Sequence, residues 1–248
     1  MVTRVDDIPS VHDDGNQTFD ENVRIKQALT QIPRCAPDDH ARHLVLLTVL
    51  RAWAHFACEH NLQYWIAYGT LVGYVQRRGL LPHDPDIDVL MMARDTPKLV
   101  AIATLLYSNL TLLNSSMYKL KVHPQWYIVQ YSNRSYFHSQ GIHFVAPNAR
   151  FVHRERACHV DIYPTYDYHP DQSNSSTNTS TILSEYDRNY YWKPYPRKWT
   201  FPLRSCEFSG IRLLCPAQPE KLVAAFYGQT ALFQSDKSCI KGKWTRKR

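Results

Sequence analysis

Asp84, Asp86 and Asp88 alternate through Leu80-Leu-Pro-His-Asp-Pro-Asp-Ile-Asp-Val-Leu-Met-Met92, a stretch otherwise made mostly of Leu, Ile, Val and Met. On a strand, Asp86 and Asp88 point to one side while Ile87 and Val89 point to the other. Two like charges on one strand face repel, and a shielded carboxylate is costly unless it is paired. A divalent cation removes both costs. Magnesium in particular takes one or two carboxylates plus substrate phosphates, and manganese suits the same oxygen ligands. A third acid has similar surroundings. In Cys158-His-Val-Asp-Ile-Tyr163, Asp161 alternates with apolar Val160 and Ile162. Two strands presenting Asp86, Asp88 and Asp161 could hold one or two cations across their gap. The plainer reading makes the pair a solvated strand edge and Asp161 a turn cap. His83 and His159 flank the aspartates and read as polar support rather than as ligands.

Gly69-Thr70 lies sixteen residues upstream of Asp86, between a short aromatic strand and a helix. Backbone N–H groups at a helix start bind phosphate, glycine permits close approach, and the threonine hydroxyl adds a donor. A strand, a Gly-Thr helix start and an Asp-x-Asp strand form the layout of a nucleotidyltransferase-type site. The chemistry would be displacement at phosphorus, with the metal neutralising developing charge.

Mixed α/β elements must position these groups. Asp38 or Asp39 can cap a helix over 38–60, whose Leu44, Leu47, Val49, Leu50, Trp53, Ala54, Phe56 and Ala57 make a broad apolar stripe that Asn61 ends. Residues 63–67 form a short strand, 70–78 a helix stopped by Gly79, and Thr96 to about Ser108 another helix. The stretch 110–150 reads as a β meander with strands at Trp126–Tyr131 and Gly141–Val145, and Cys158–Tyr163 is a further strand. Phe201–Leu203 and Cys206–Cys215 make a second β unit, and Pro219–Tyr227 is a helix closed by Gly228. The aromatic cluster Tyr186, Tyr190, Tyr191, Trp192 and Tyr195 reads as packing. The expected organisation is one α/β domain over 38–232, with a mobile Ser/Thr/Asn-rich insertion at 169–181. An acidic flexible lead-in, 1–37, and a basic flexible tail, 233–248, flank it.

The 248 residues carry a formal charge of +7, with 12% aromatics. The basicity is concentrated in Lys237, Lys241, Lys243, Arg246, Lys247 and Arg248. A charged terminus of this kind is ordinarily a solvated end, and no nucleic-acid-binding signature accompanies it. No apolar run approaches the roughly 20 residues of a membrane span, and no signal segment opens the chain. Six of ten asparagines (Asn16, Asn109, Asn114, Asn133, Asn174 and Asn178) begin an Asn-x-Ser/Thr sequon. Such sequons are used only in the secretory lumen, so a Golgi or ER protein anchored through some other segment is expected. A cytoplasmic protein is the alternative. The six cysteines include no CxxC pair, which argues against a zinc ribbon. A hairpin turning at Ser209-Gly210 sets Cys206 opposite Leu213, leaving Cys215 a diagonal neighbour about 7 Å away and poorly placed for a disulfide.

The run Gly69-Thr-Leu-Val-Gly-Tyr-Val-Gln-Arg-Arg-Gly-Leu-Leu-Pro-His-Asp-Pro-Asp-Ile-Asp88 closely resembles the LicD family, which includes bacterial phosphocholine transferases, fukutin and fukutin-related protein. His159-Val-Asp161-Ile resembles that family's later Asp-bearing strand, Phe201-Pro-Leu…Phe208-x-Gly210 its F-P-L…F-x-G segment, and Pro216…Leu222…Tyr227-Gly228 its closing block. The resemblance implies a nucleotidyltransferase-like fold, a mixed β-sheet flanked by helices. It also implies transfer of a phospho-alcohol from a CDP-activated donor to a glycan or glycoprotein hydroxyl, with Mg²⁺ or Mn²⁺. By motif, Asp86, Asp88 and Asp161 would be catalytic and metal-binding, and Gly69 and Thr70 would contact phosphate. Gln76 stands at the family's usual arginine; Arg77 and Arg78 are adjacent and could substitute, with Arg77 expected to be the donor-binding cation. His83 replaces the usual tryptophan, and Pro85 follows the first aspartate. Asp161 is open as base or ligand. Two rival readings are transfer of the nucleotide itself and a silent scaffold for glycan enzymes.

Overall fold

The computed structural model describes residues 15–108, 117–122, 147, 149–156, 158–168, 182–186 and 192–247. Helices α1 (Gly15–Gln31) and α2 (Asp39–Glu59) lead into β1 (Trp65–Ile66), α3 (Tyr68–Arg77), β2 (Ile87–Met92) and α4 (Thr96–Ser108). Next come β3 (Tyr118–Val122), β4 (Ala149–His153), β5 (His159–Tyr168), β6 (Ile182–Tyr186) and β7 (Trp192–Pro196). The β8–β9 hairpin (Arg204–Phe208, Ile211–Cys215), α5 (Pro219–Tyr227) and the β10–β11 hairpin (Lys237–Ile240, Lys243–Arg246) complete the chain. The expected strands at 126–131 and 141–145, the insertion 169–181 and five sequon asparagines lie outside the described residues.

The main sheet runs β1-β2-β5-β4-β3, with β6 and β7 extending it from the far half of β5. Among the described strands, only the β2–β5 pair is parallel. It sits at the centre, where both faces are covered, so β2 reads as Ile-x-Val-Leu-Met-Met with those apolar residues all buried. The fold is therefore mixed α/β, as its sequence pattern indicates.

Helix α2 packs on β4 and β5, and its Leu46, Leu50 and Trp53 are fully buried. Burying each such side chain is worth about 1.5–3 kcal/mol. The Trp53 ring meets Tyr64 edge-on at 5.4 Å and Phe151 at 5.7 Å, which ties the helix to β4 and to the residue just before β1. Leu44, assigned to the apolar stripe, is instead 43% exposed. Asn61 takes the left-handed conformation just past α2, as a helix-ending asparagine can. Tyr195 is buried, with its ring 5.6 Å from that of Phe226, so it does serve packing.

Three expectations need correction. Arg78, not Gly79, carries the left-handed turn after α3, at φ 54°. Gly79 is needed for a different reason: a Cβ there would lie 2.3 Å from Ser209 Oγ in the β8–β9 turn. Secondly, Cys206 and Cys215 do form a disulfide, with Cα atoms 5.9 Å apart. The register Cys206↔Leu213 is as expected, but the strong twist of an isolated two-stranded ribbon draws one diagonal together.

Thirdly, neither end of the described chain is loose. Helix α1 buries Ile25 and Leu29, with Ile32 just beyond it. The basic segment folds as the β10–β11 hairpin, joined to the α1–α2 connection by Cys35–Cys239. Disulfide and hairpin hydrogen bonds hold this segment where too little apolar surface exists to signal order in the sequence.

Candidate metal centre

The parallel register sets Asp88 level with Asp161 and Ile87 level with Val160. One residue further back, the same register sets Asp86 level with His159. Alternation puts all four on one face, two per strand. Ligand atoms of Asp86, His159 and Asp161 lie within 4.8 Å of one another. Two carboxylates and an imidazole at that separation form a divalent-cation donor set. His159, read from sequence as polar support, is thus a member of the trio. Its signal was the i, i+2 spacing from Asp161. Asp88 lies outside the trio but beside it, half-buried.

Asp161 is the anchor. It is 3% exposed between the fully buried Val160 and Ile162. Burial pushes its carboxyl up, but hydrogen bonds from His159 and Arg150 outweigh that and hold it below its ordinary range. Arg150 Nε donates to Oδ1 at 2.7 Å, and His159 Nε2 lies 3.3 Å from the same oxygen. Oδ2 takes part in neither contact. Arg150 faces Asp161 from β4, and Lys121 on β3 continues the row. Acidic strands and basic strands therefore meet on one face of the sheet.

The start of α3 supports β2. Thr70 is fully buried, and its Oγ1 accepts the Asp88 N–H at 2.9 Å. Asp88 O accepts the Ala67 N–H at 3.0 Å. The Thr70 hydroxyl thus fixes Asp88, whereas the sequence motif placed it on phosphate. Gly69 allows a close approach of a different kind: a Cβ there would lie 2.8 Å from Asp84 Oδ2. Asp84 is 9% exposed, and Oδ2 has no hydrogen-bond partner among the described residues. Burial raises its carboxyl to about 7, and the Asp86 charge pushes the same way. Arg77 is not gathered into this site. It donates to Gln31 O at 2.9 Å, at the far end of α3, about 12 Å along the helix from Gly69.

The Pro82–Asp84 loop is clamped by residues that carry no sequence motif. Arg42 Nη2 donates to Pro82 O at 2.6 Å and Nη1 donates to Asp84 O. Asp39 Oδ1 accepts from the same guanidinium at 2.8 Å. Asp39 Oδ2 takes the N–H groups of Cys35 and Ala36 and the indole N–H of Trp244. Burial alone would raise the Asp39 carboxyl; these donors pull it well below the usual range. His43 Nε2 lies 2.8 Å from Pro82 O, and burial holds its pKa low, so the neutral ring donates there. His83 contacts Asp236 at 3.5 Å, and its ring is 5.8 Å from that of Trp244. The C-terminal hairpin thereby buttresses the loop that delivers Asp84 and Asp86.

A mixed sheet with a central parallel pair, helices on it and a carboxylate–imidazole centre on the paired strands defines a nucleotidyltransferase-like domain. Residues 61–218 match the family described as LicD/FKTN/FKRP, nucleotidyltransferase domain, and the chain belongs to that family. Transferases are general in that family. Two curated relatives are similar over a short stretch of 52 residues. One is an uncharacterized protein of Rickettsia prowazekii, 35% identical over 21% of this chain and 20% of its own length. The other, uncharacterized too, is from Rickettsia typhi, 35% identical over 21% of this chain and 17% of its own. The chain thus spans about a fifth of the length of these relatives. Among the described residues, no helix is long and apolar enough to cross a membrane.

Proposed function

We propose that this protein is a metal-dependent phosphotransferase that moves a phospho-alcohol from a CDP-activated donor to a glycan hydroxyl. The observation that carries this reading is the approach of Asp86, His159 and Asp161 within 4.8 Å on two parallel strands. These three residues would hold a divalent cation, Mg²⁺ or Mn²⁺; the imidazole favours the latter. When bound, the cation neutralises charge on the diphosphate and its leaving group.

The other roles belong to the chain's own residues. Arg150, 48% exposed at its side chain, and Lys121 beyond it face the donor's negative charge. Asp88, the carboxylate outside the trio, receives the proton of the acceptor hydroxyl. The hydroxyl oxygen bonds to the β-phosphorus, the bond from that phosphorus to CMP breaks, and CMP leaves. Fixed backbone contacts from Thr70 and Ala67 keep Asp88 in place for that transfer.

Two disulfides accord with an oxidising compartment, in support of the secretory lumen. A binding and turnover screen of CDP-choline, CDP-ribitol and CDP-glycerol with Mn²⁺ or Mg²⁺ tests the reading. Release of CMP in wild type and its loss in Asp86→Asn and Asp161→Asn are expected. Nucleotide left on the acceptor would point to nucleotide transfer instead. No metal-dependent nucleotide binding would leave a scaffold.

A further inference from the structure

A groove of about 610 Å³ lies between α1, the last turn of α3 and the β8–β9 turn. That volume is in the range of small-molecule sites. Three arginines line it, Arg24, Arg77 and Arg78, against the single carboxylate of Glu207. Their charges are poorly matched within the protein. Arg24 reaches carboxylates only at 3.6 Å (Asp20) and 3.8 Å (Glu207), and its buried Nε has no hydrogen-bond partner among the described residues. Arg77 donates to the Gln31 carbonyl, and burial lowers its pKa. Arg78 lies over the Tyr74 ring, 4.5 Å from its centroid. Neither Arg77 nor Arg78 has a carboxylate partner among the described residues.

The walls are fixed in advance. Ser209 N–H donates to Arg78 O at 2.9 Å, and Ser209 Oγ accepts the Leu80 N–H at 3.2 Å. Gly210 brings the turn so close to α1 that a Cβ would lie 2.7 Å from the Arg24 backbone. The Cys206–Cys215 disulfide closes the hairpin behind it. Three guanidinium groups held on rigid elements around an open space are an anion receptor, because each offers a planar fork for phosphate or carboxylate. Gln27, Gln31 and Ser209 add neutral donors and acceptors along the same groove. The space is much larger than one phosphate, and its polar lining suits hydroxyls.

We propose that this groove is a second ligand site, separate from the metal centre, that binds a sugar carrying a phosphate or carboxylate group. The anion receptor stands on its own geometry; its assignment to an acidic sugar of the acceptor rests on the glycan-transferase reading. Arg77 thus serves this groove and not the donor phosphates.

The test is calorimetric titration of the oxidised protein in EDTA with glucose 6-phosphate, glucuronate, glucose and inorganic phosphate. The two acidic sugars are expected to bind and glucose not to bind. Arg24→Ala and Arg78→Gln should each weaken binding at least tenfold, with Arg78→Lys, which keeps the charge but not the fork, falling between Arg78→Gln and wild type. Thermal unfolding of each variant confirms that it is folded. Asp86→Asn, inactive if the transferase reading holds, should bind the acidic sugars unchanged. Loss of binding in Asp86→Asn, or undiminished binding in the two folded arginine variants, would overturn the groove assignment. Inorganic phosphate binding as tightly as glucose 6-phosphate would overturn the sugar. Binding in EDTA with no turnover on any CDP donor would leave the groove standing and remove the transferase.

Discussion

Thr70 Oγ1 accepts the backbone N–H of Asp88 at 2.9 Å, so the first turn of α3 and β2 are locked to each other. Thr70→Val keeps the shape and removes the acceptor of a half-buried N–H. That costs about 1–3 kcal/mol. Urea denaturation should show the loss, and Thr70→Ser should restore most of it. A phosphate-binding Thr70 would instead raise KM for the donor with stability unchanged; its full burial predicts the stability loss.

Asp84 makes metal-free stability depend on pH in a direction unusual for an aspartate. Its native carboxyl is raised to about 7, chiefly by burial and then by Asp86. The unfolded chain gives up this proton near its ordinary value of roughly 4. Between the two values the native state binds more protons, so the contribution is complete below pH 4 and is lost as pH rises through about 7. The full drop is at most about 4 kcal/mol. Chemical denaturation in EDTA from pH 4.5 to 8 should show declining stability, and Asp84→Asn should flatten the curve. A bound cation beside Asp86 should flatten it too, since positive charge favours the ionised carboxyl.

Much of the centre was legible because its signals are local. Alternation along 86–89 and 159–162 gives both acidic strands and their apolar faces, and those strands pair in register. What stayed hidden depends on contacts distant in sequence. Arg42 meets Asp84 and Pro82 some 40 residues away. Trp244 meets Asp39 across 205 positions, and nothing in Lys237–Arg248 distinguishes an ordered hairpin from a solvated tail. The Thr70–Asp88 contact is hidden for the same reason, and Gly69 beside it signals close approach without saying to what. The structure answers with the Asp84 carboxylate.

The Cys35–Cys239 bond spans 204 positions and fastens the hairpin whose Trp244 holds Asp39. Cys239→Ser should destabilise the oxidised protein by about 2–4 kcal/mol. The same shift should follow from adding a reductant to a Cys206→Ser/Cys215→Ser variant, in which Cys35–Cys239 is the disulfide left to reduce. Amide exchange should quicken in 237–246 first and then around 82–86, because Asp39 loses a donor while keeping Arg42. Unchanged exchange at 82–86 would show that the hairpin does not support the metal loop.

Arg150 has two opposed effects on the centre, and one substitution separates them. Its Nε bonds Asp161 Oδ1 at 2.7 Å, so it competes with a cation for that carboxylate. It is also half-exposed, and on the proposed transferase reading it faces the anionic donor. Arg150→Gln should therefore tighten Mn²⁺ binding, by up to about fivefold given the modest worth of exposed ion pairs. Loss of the guanidinium should also let the Asp161 carboxyl drift up towards its ordinary range, shifting the acid limit of Mn²⁺ binding to higher pH. The same variant should bind the CDP donor more weakly in the presence of saturating Mn²⁺. Manganese titration followed by paramagnetic relaxation, paired with donor titration at fixed metal, reads both signs. Weaker metal and weaker donor together would mean that Arg150 only holds Asp161 in place, and the donor contact would then be abandoned.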